Sequence, residues 1–318
     1  MKNQLESIKW ATDLLVSKGY ALTNSPETFV EAPWSTVIRI STATEIFYLK
    51  LTPPLLFLEP QVMQLLKDQM QASVPDVVGS NNELCCFLMK DAGQTLRSYL
   101  KNTAQYELLS RAIAEFTTMQ RSTENHLDSF FKIGVPDWRM NKLPGEYKQL
   151  ISQTELLKAE GMTDEEVQIL QDLIPTFTRQ CELVSRYPIP ETLVQPDFNT
   201  NNIMFNLNFK KMAFIDLGEI VISHPFFSLI NFNYQATLHH SVKEGDNELL
   251  ESCCKNWLDI GSKKQLFETY SHVKKLWPIY GALGFYRLMV SVDAKALKVY
   301  CANKPQLVGH LREYIATF

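Results

Sequence analysis

The period of the apolar residues changes once along this chain, and the change divides it. Residues 3–18 repeat apolar positions at helical spacing (Leu5, Ile8, Leu14, Leu15), and Gly19 ends that helix. Three runs follow, at 28–32, 36–42 and 45–51. They are β-branched or aromatic and are joined by short turns, which predicts an antiparallel meander. Pro53 and Pro54 break it. A helix is expected over 57–71, with Pro60 tolerated in its first turn, and two further strands over 76–79 and 84–89. Beyond residue 95 the period is helical, at 96–102, 107–120 and 163–186, the last opened by Thr163 and Glu166 as a capping box. It continues at 226–239, 248–258, 264–277, 281–300 and 306–316. The only strands expected in this half are short ones around Asp197 and Asp216. The pattern is that of an α+β protein in two lobes. Residues 1–90 form a small antiparallel β lobe with one internal helix, and residues 91–318 a large, mainly helical lobe.

Composition narrows the function classes. At 318 residues and 45% hydrophobic the chain can bury two cores. A net charge of −4 argues against nucleic acid as the main partner. No apolar run reaches membrane-spanning length, and the N-terminus lacks a signal peptide's apolar core. Six cysteines sit in apolar contexts without zinc-ligand spacing, so reduced thiols and a cytoplasmic protein are expected, as monomer or homodimer.

The stretch 193–218, LVQPDFNTNNIMFNLNFKKMAFIDLG, concentrates the chemistry. An apolar run delivers Asp197, and Asn202 follows five residues later. A strand, a polar turn over 206–211 and a second strand over 212–215 then deliver Asp216. Singly, an Asp or Asn beside a strand is usually a turn residue bonding its own backbone. Jointly, Asn202 and Asp216 are the hard oxygen donors that Mg²⁺ takes together with substrate phosphates. Asp197 is then left for the attacking hydroxyl. Upstream, Lys50 ends the third strand, facing either solvent or a ligand cleft, and Glu59 lies in the first turn of the next helix. Such a pair can hold a phosphate-binding ammonium, although a strand-end lysine is most often a solvated charge. No glycine-rich loop is present. The turn before Thr36 reads Ala32-Pro33-Trp34-Ser35, so Ser35 and Thr36, with backbone N–H groups, are the phosphate contacts on offer there.

These segments resemble the aminoglycoside phosphotransferase and choline kinase family, small-molecule kinases with a protein-kinase-like fold. The family's catalytic loop runs His-Gly-Asp, four variable residues, Asn; here Gln195-Pro196-Asp197 leads to Asn202. Its metal segment is similar to Ile215-Asp216-Leu217-Gly218. The resemblance implies ATP as phosphoryl donor, with GTP as the alternative, and Mg²⁺ as cofactor. It places Asp197 as catalytic base, Asn202 and Asp216 on the metal, and Lys50 on the phosphates with Glu59 positioning it. Met89, Lys90 and Asp91 would line the nucleotide-binding hinge. The partner implied is a small molecule with a hydroxyl acceptor, of aminoglycoside or choline type. Three departures stand out: Gln195 for histidine, Pro196 for glycine, and Ser228 where the family keeps a structural aspartate. They leave open a catalytically degenerate, nucleotide-binding or scaffold module. Acceptor contacts are sought after residue 225, with Trp257, Trp277 and Tyr280 for an aromatic cage and Asp246 and Glu248 for ammonium groups. Core packing is the plainer reading of each aromatic.

Overall fold

The computed structural model describes residues 4–302 and 306–318, so Asn3, the expected start of the first helix, lies outside the described residues. The chain divides into two compact units, each built of three segments. The first takes Met1–Thr95, Ile203–Gly218 and Leu288–Ala302; the second takes Leu96–Asn202, Glu219–Arg287 and Asn303–Phe318. A cut near residue 90 would have made both units continuous.

The first unit is organised by a five-stranded antiparallel sheet. Its strands are β1 (Glu27–Ala32), β2 (Ser35–Ser41), β3 (Ile46–Leu51), β4 (Val77–Asn81) and β5 (Cys86–Lys90), in the order β1-β2-β3-β5-β4. Alternation sorts their side chains. Ile38, Ile40, Phe47, Leu49, Leu51 and Leu88 share one face, buried against Ala11 and Leu15 of helix α1 (Gln4–Ser17). The register puts Lys50 opposite Val37 and Phe87, on the other face. The internal helix α2 (Glu59–Met70) starts two residues later than its apolar pattern suggests, because a 3₁₀ turn occupies Pro54–Leu56. Pro60 sits in its first turn, where its missing N–H costs nothing. A small antiparallel sheet of Gln94–Thr95, Ile203–Asn206 and Lys211–Phe214 completes this unit. It is joined to the end of α2 by Phe214 N–H donating to the Ser73 carbonyl at 2.9 Å.

The second unit is mainly helical, with a two-stranded antiparallel pair of Thr192–Val194 and Val221–Ser223. Two prolines decide its helix boundaries in opposite senses. The helix expected over 163–186 is two helices, Asp164–Asp172 and Ile174–Val184, with Pro175 in the first turn of the second. Pro175 has no N–H to carry the ladder through. Yet Lys263–Ser291 is one helix with Pro278 inside it, where a break near residue 280 was expected. Val273, Leu276, Ile279, Ala282 and Leu283 are buried on either side of Pro278, and that packing outweighs one lost bond. The break falls instead at Asp293, whose carboxylate caps Ala294–Tyr300. Short helices at Leu127–Lys132, Leu143–Ile151 and Thr154–Ala159 escape the periodicity reading. Among the described residues no helix is long and apolar enough to cross a membrane. Cys86, Cys181, Cys253 and Cys254 are buried thiols, with burial pushing Cys181 and Cys254 up to about 12.

The expected capping box is present. Thr163 N–H donates to Glu166 Oε2 at 2.8 Å and Glu166 N–H to Thr163 Oγ1 at 3.1 Å. Arg312, on the helix Leu307–Ile315, donates to the same carboxylate at 2.6 Å. The Arg312 bond, helped by the Thr163 N–H, pulls the Glu166 carboxyl down to about 2. A depressed carboxyl stabilises the fold fully above its ordinary value and loses that contribution as pH falls through the folded one. Glu166→Gln should therefore cost on the order of 1 kcal/mol at neutral pH, a figure discounted for solvent screening. The gap from the parent chain should close toward pH 2. Denaturant unfolding at pH 7 and pH 3 tests this, and a gap of equal size at both would assign the loss to the helix cap alone.

Candidate active site

Lys50 is not a solvated charge. It is 6% exposed on the central strand β3, and its Nζ donates to Glu59 Oε2 at 2.5 Å and to Asp216 Oδ1. Glu59, 1% exposed at the start of α2, is used at both oxygens, since its Oε1 accepts the Leu217 N–H at 3.1 Å. One buried carboxylate thus ties a strand lysine to the segment that carries Asp216. Burial alone pulls the Lys50 ammonium down. The charges of Asp216 and Glu59 together outweigh that, and Lys50 stands above the ordinary lysine value, charged at every physiological pH. Asp216 has φ +62°, a left-handed conformation that an aspartate tolerates and most residues do not. Gly218 follows because nothing larger fits: a Cβ there would lie 2.9 Å from the Leu56 carbonyl oxygen.

In the second unit, the loop after Thr192–Val194 is held by its own backbone. The Asp197 carbonyl accepts from Asn199 Nδ2 and from Asn202 Nδ2, each at 2.8 Å. Asn202 Nδ2 also reaches Asp197 Oδ2 at 3.1 Å. With its nitrogen so used, the atom Asn202 has left to offer a cation is its amide oxygen. Asp216 offers a carboxylate, about half exposed. Each by itself is a hard oxygen donor of the kind Mg²⁺ takes, so the chemistry of each residue fits that ion.

Ser228 turns from a departure into a brace. Its Oγ accepts the Gln195 N–H at 2.9 Å and donates to the Gln195 carbonyl at 3.0 Å, clamping one residue from both sides. A carboxylate could only have accepted. Thr200, fully inside the loop, donates to His240 Nε2 at 2.7 Å, while His240 Nδ1 donates to the Lys101 carbonyl at 2.9 Å. Burial holds that imidazole below its usual value and hence neutral, as the tautomer requires. Arg97, which sequence reasoning passed over, donates to Asn199 Oδ1 at 2.8 Å and to Gln235 Oε1 at 3.3 Å. Its own N–H bonds the Thr200 carbonyl at 2.9 Å. Only its position beside the Gly93 linker could have flagged it.

The remaining expected residues are placed less simply. Ser35 and Thr36 are buried at the foot of the β1–β2 turn, and the tip carries Trp34, edge-on to Tyr300 at 5.0 Å. Met89 is buried on β5, paired with Tyr48. Lys90 Nζ donates to Glu45 Oε1 at 2.9 Å, and the Asp91 carboxylate accepts the Gly93 N–H at 3.0 Å, shaping the linker. The packing reading prevails for Trp257 and Tyr280, which are core residues, Tyr280 stacked on Phe227 at 3.8 Å. Asp246 caps the helix Asn247–Lys255 and accepts from Tyr106 at 2.8 Å.

No protein-family model and no curated protein sequence matches this chain. Solved structures do. The gentamicin complex of APH(2″)-IIa aligns with a TM-score of 0.62 at 15% identity, over 96% of this chain and 97% of that one. A thermostable aminoglycoside phosphotransferase APH(4)-Ia, in a ternary complex with ADP and hygromycin B, aligns at 0.57 and 10% identity, over 96% and 97%. Plasmodium vivax ethanolamine kinase aligns at 0.57 and 12% identity, over 97% of this chain and 85% of that one. These are proteins of the kinds that the two aspartate segments resemble. At such identities the likeness is one of fold: this chain has the protein-kinase-like α+β fold that these phosphotransferases and kinases carry.

Proposed function

We propose that this chain is a kinase that transfers the γ-phosphoryl group of ATP to a hydroxyl of a small molecule. The observation that carries the reading is the buried Lys50, held between Glu59 and Asp216 on a strand-to-helix scaffold. One ammonium faces two carboxylates, and the Asp216 side of that set fits a divalent cation. Asp197 accepts the hydroxyl proton as the oxygen attacks phosphorus and the bond to the bridging oxygen breaks. Lys50 binds the phosphates of the leaving diphosphate. Asn202 and Asp216 are the residues that would hold Mg²⁺, which would supply neutralisation of the phosphate charge. The Ser228 clamp and the Thr200–His240 bond keep Asp197's loop in one shape before substrate arrives.

A second reading, a nucleotide-binding module without turnover, is favoured by one feature. The β1–β2 turn has no glycine, and its Trp34 is packed on Tyr300 rather than open to phosphates. Thermal unfolding with ATP, with and without Mg²⁺, separates these readings from a likeness of fold alone. A ligand bound only by the folded state adds about 2.7 kcal/mol at a hundred times its dissociation constant. A Mg²⁺-dependent rise in midpoint is expected, followed by ADP release with a hydroxyl acceptor from a metabolite panel. A rise without any ADP release would favour the second reading, and no rise with any nucleotide would overturn both.

A further inference from the structure

Arg97 carries a charge that its surroundings do not neutralise. Its guanidinium is half-buried, and its hydrogen-bond partners are two neutral amides, Asn199 and Gln235. Its Nε is buried with no hydrogen-bond partner. Burial pulls the guanidinium below the ordinary arginine value, opposed by the charge of Asp197. The same positive field reaches His239, pushed down by burial and then by Arg97. A guanidinium held this way is costly unless an anion completes it. It is also fixed in place, by side-chain bonds to Asn199 and Gln235 and by its backbone bond to Thr200.

We infer that Arg97 forms an oxyanion site beside Asp197, receiving a phosphoryl or carboxylate oxygen during the transfer. The inference rests on the kinase reading above. Two sources supply that oxygen: the phosphoryl group in flight, or an anionic group on the acceptor. Arginine suits either, through its planar fork of donors.

The test uses Arg97→Gln, Arg97→Lys and Gln235→Glu in the full chain. Gln235→Glu leaves Arg97 in place and gives it a carboxylate of its own, so it occupies the site without unfolding it. Binding of ADP–Mg²⁺ and of ADP–Mg²⁺–aluminium fluoride is measured by calorimetry, and ADP formation is measured without acceptor and with neutral, cationic and anionic alcohols. If the phosphoryl group is the ligand, Arg97→Gln and Gln235→Glu lose about 100-fold in aluminium fluoride affinity and in acceptor-free ATP hydrolysis. Their ADP–Mg²⁺ affinity holds, and Arg97→Lys recovers part of the loss. If the acceptor supplies the anion, hydrolysis and aluminium fluoride binding stay at the parent level. The KM for an anionic alcohol such as glycerol phosphate then rises by a comparable factor. Parent-like values for both variants in every arm overturn the assignment of Arg97 while leaving the kinase reading intact. A parent chain that neither binds ADP–Mg²⁺ nor forms ADP overturns both.

Discussion

Asp197→Ala should lower turnover by about a thousandfold and leave nucleotide binding nearly unchanged. The size follows from removing the group that takes the hydroxyl proton, a step for which a positioned base contributes roughly 10²- to 10⁴-fold. The selectivity follows from how the loop is held. Its fixed bonds run to the Asp197 carbonyl from Asn199 and Asn202, and to the Gln195 backbone from Ser228. The variant loses the 3.1 Å bond from Asn202 Nδ2 to the exposed Asp197 carboxylate, but the same nitrogen keeps its 2.8 Å bond to the Asp197 carbonyl. The loop should therefore keep its shape, and the thermal midpoint with ATP and Mg²⁺ should rise as in the parent. Asp197→Asn, nearly isosteric, should be as inactive while unfolding at the parent's temperature. Normal turnover in either variant would remove Asp197 from the chemistry. An equal loss of nucleotide binding would instead make it a structural residue of the site.

The two aspartate segments are legible in the chain because their signal is local. Each is a short apolar strand ending on an oxygen-bearing side chain, and the register Ile203↔Phe214 through Asn206↔Lys211 bears the hairpin out. The Lys50–Glu59 pair is legible for the same reason, as nine residues carry a strand into a helix. What Lys50 faces is not, since alternation places it on a face without saying what covers that face. Asp216 supplies the answer from 166 residues away. Ser228 reads as a lost aspartate because its meaning lies in two bonds to a residue 33 positions earlier. Arg97 sits in a helix of ordinary amphipathic spacing, and its partners Asn199 and Gln235 are 102 and 138 residues away. The prolines teach the same lesson about helices. Pro175 opens one helix and Pro278 lies inside another, so the residue type by itself does not say which role a proline takes. Aromatic residues such as Trp257 and Tyr280 suit a cage or a core equally well until their burial is seen.

The buried ion pair has the larger consequence for the fold. Lys50→Met should destabilise the first unit by about 3–5 kcal/mol, because it leaves Glu59 as an uncompensated buried carboxylate. Asp216 adds less, since its side chain is 46% exposed and water can take over from Lys50. The loss should depend on pH in a definite direction. Burial raises the Glu59 carboxyl, and Lys50 is its chief counterweight, so the variant's Glu59 stands higher still. A group whose folded value is raised favours the fold below its unfolded value and loses that contribution as pH rises through the folded one. The deficit of Lys50→Met should thus be small near pH 4 and grow toward neutrality. Removing the second charge as well should undo much of it, because apolar residues of similar volume often replace a buried pair at little cost. The double variant Lys50→Met with Glu59→Leu is expected to regain most of the stability, and to stay without any response to ATP and Mg²⁺, since the ammonium for the phosphates is still missing. Denaturant unfolding from pH 4 to 8, with and without nucleotide, reads both effects. A single variant that loses less than about 1 kcal/mol would mean the pair does not hold the unit together. A double variant that still responds to nucleotide would take Lys50 out of the phosphate site while leaving its structural role standing.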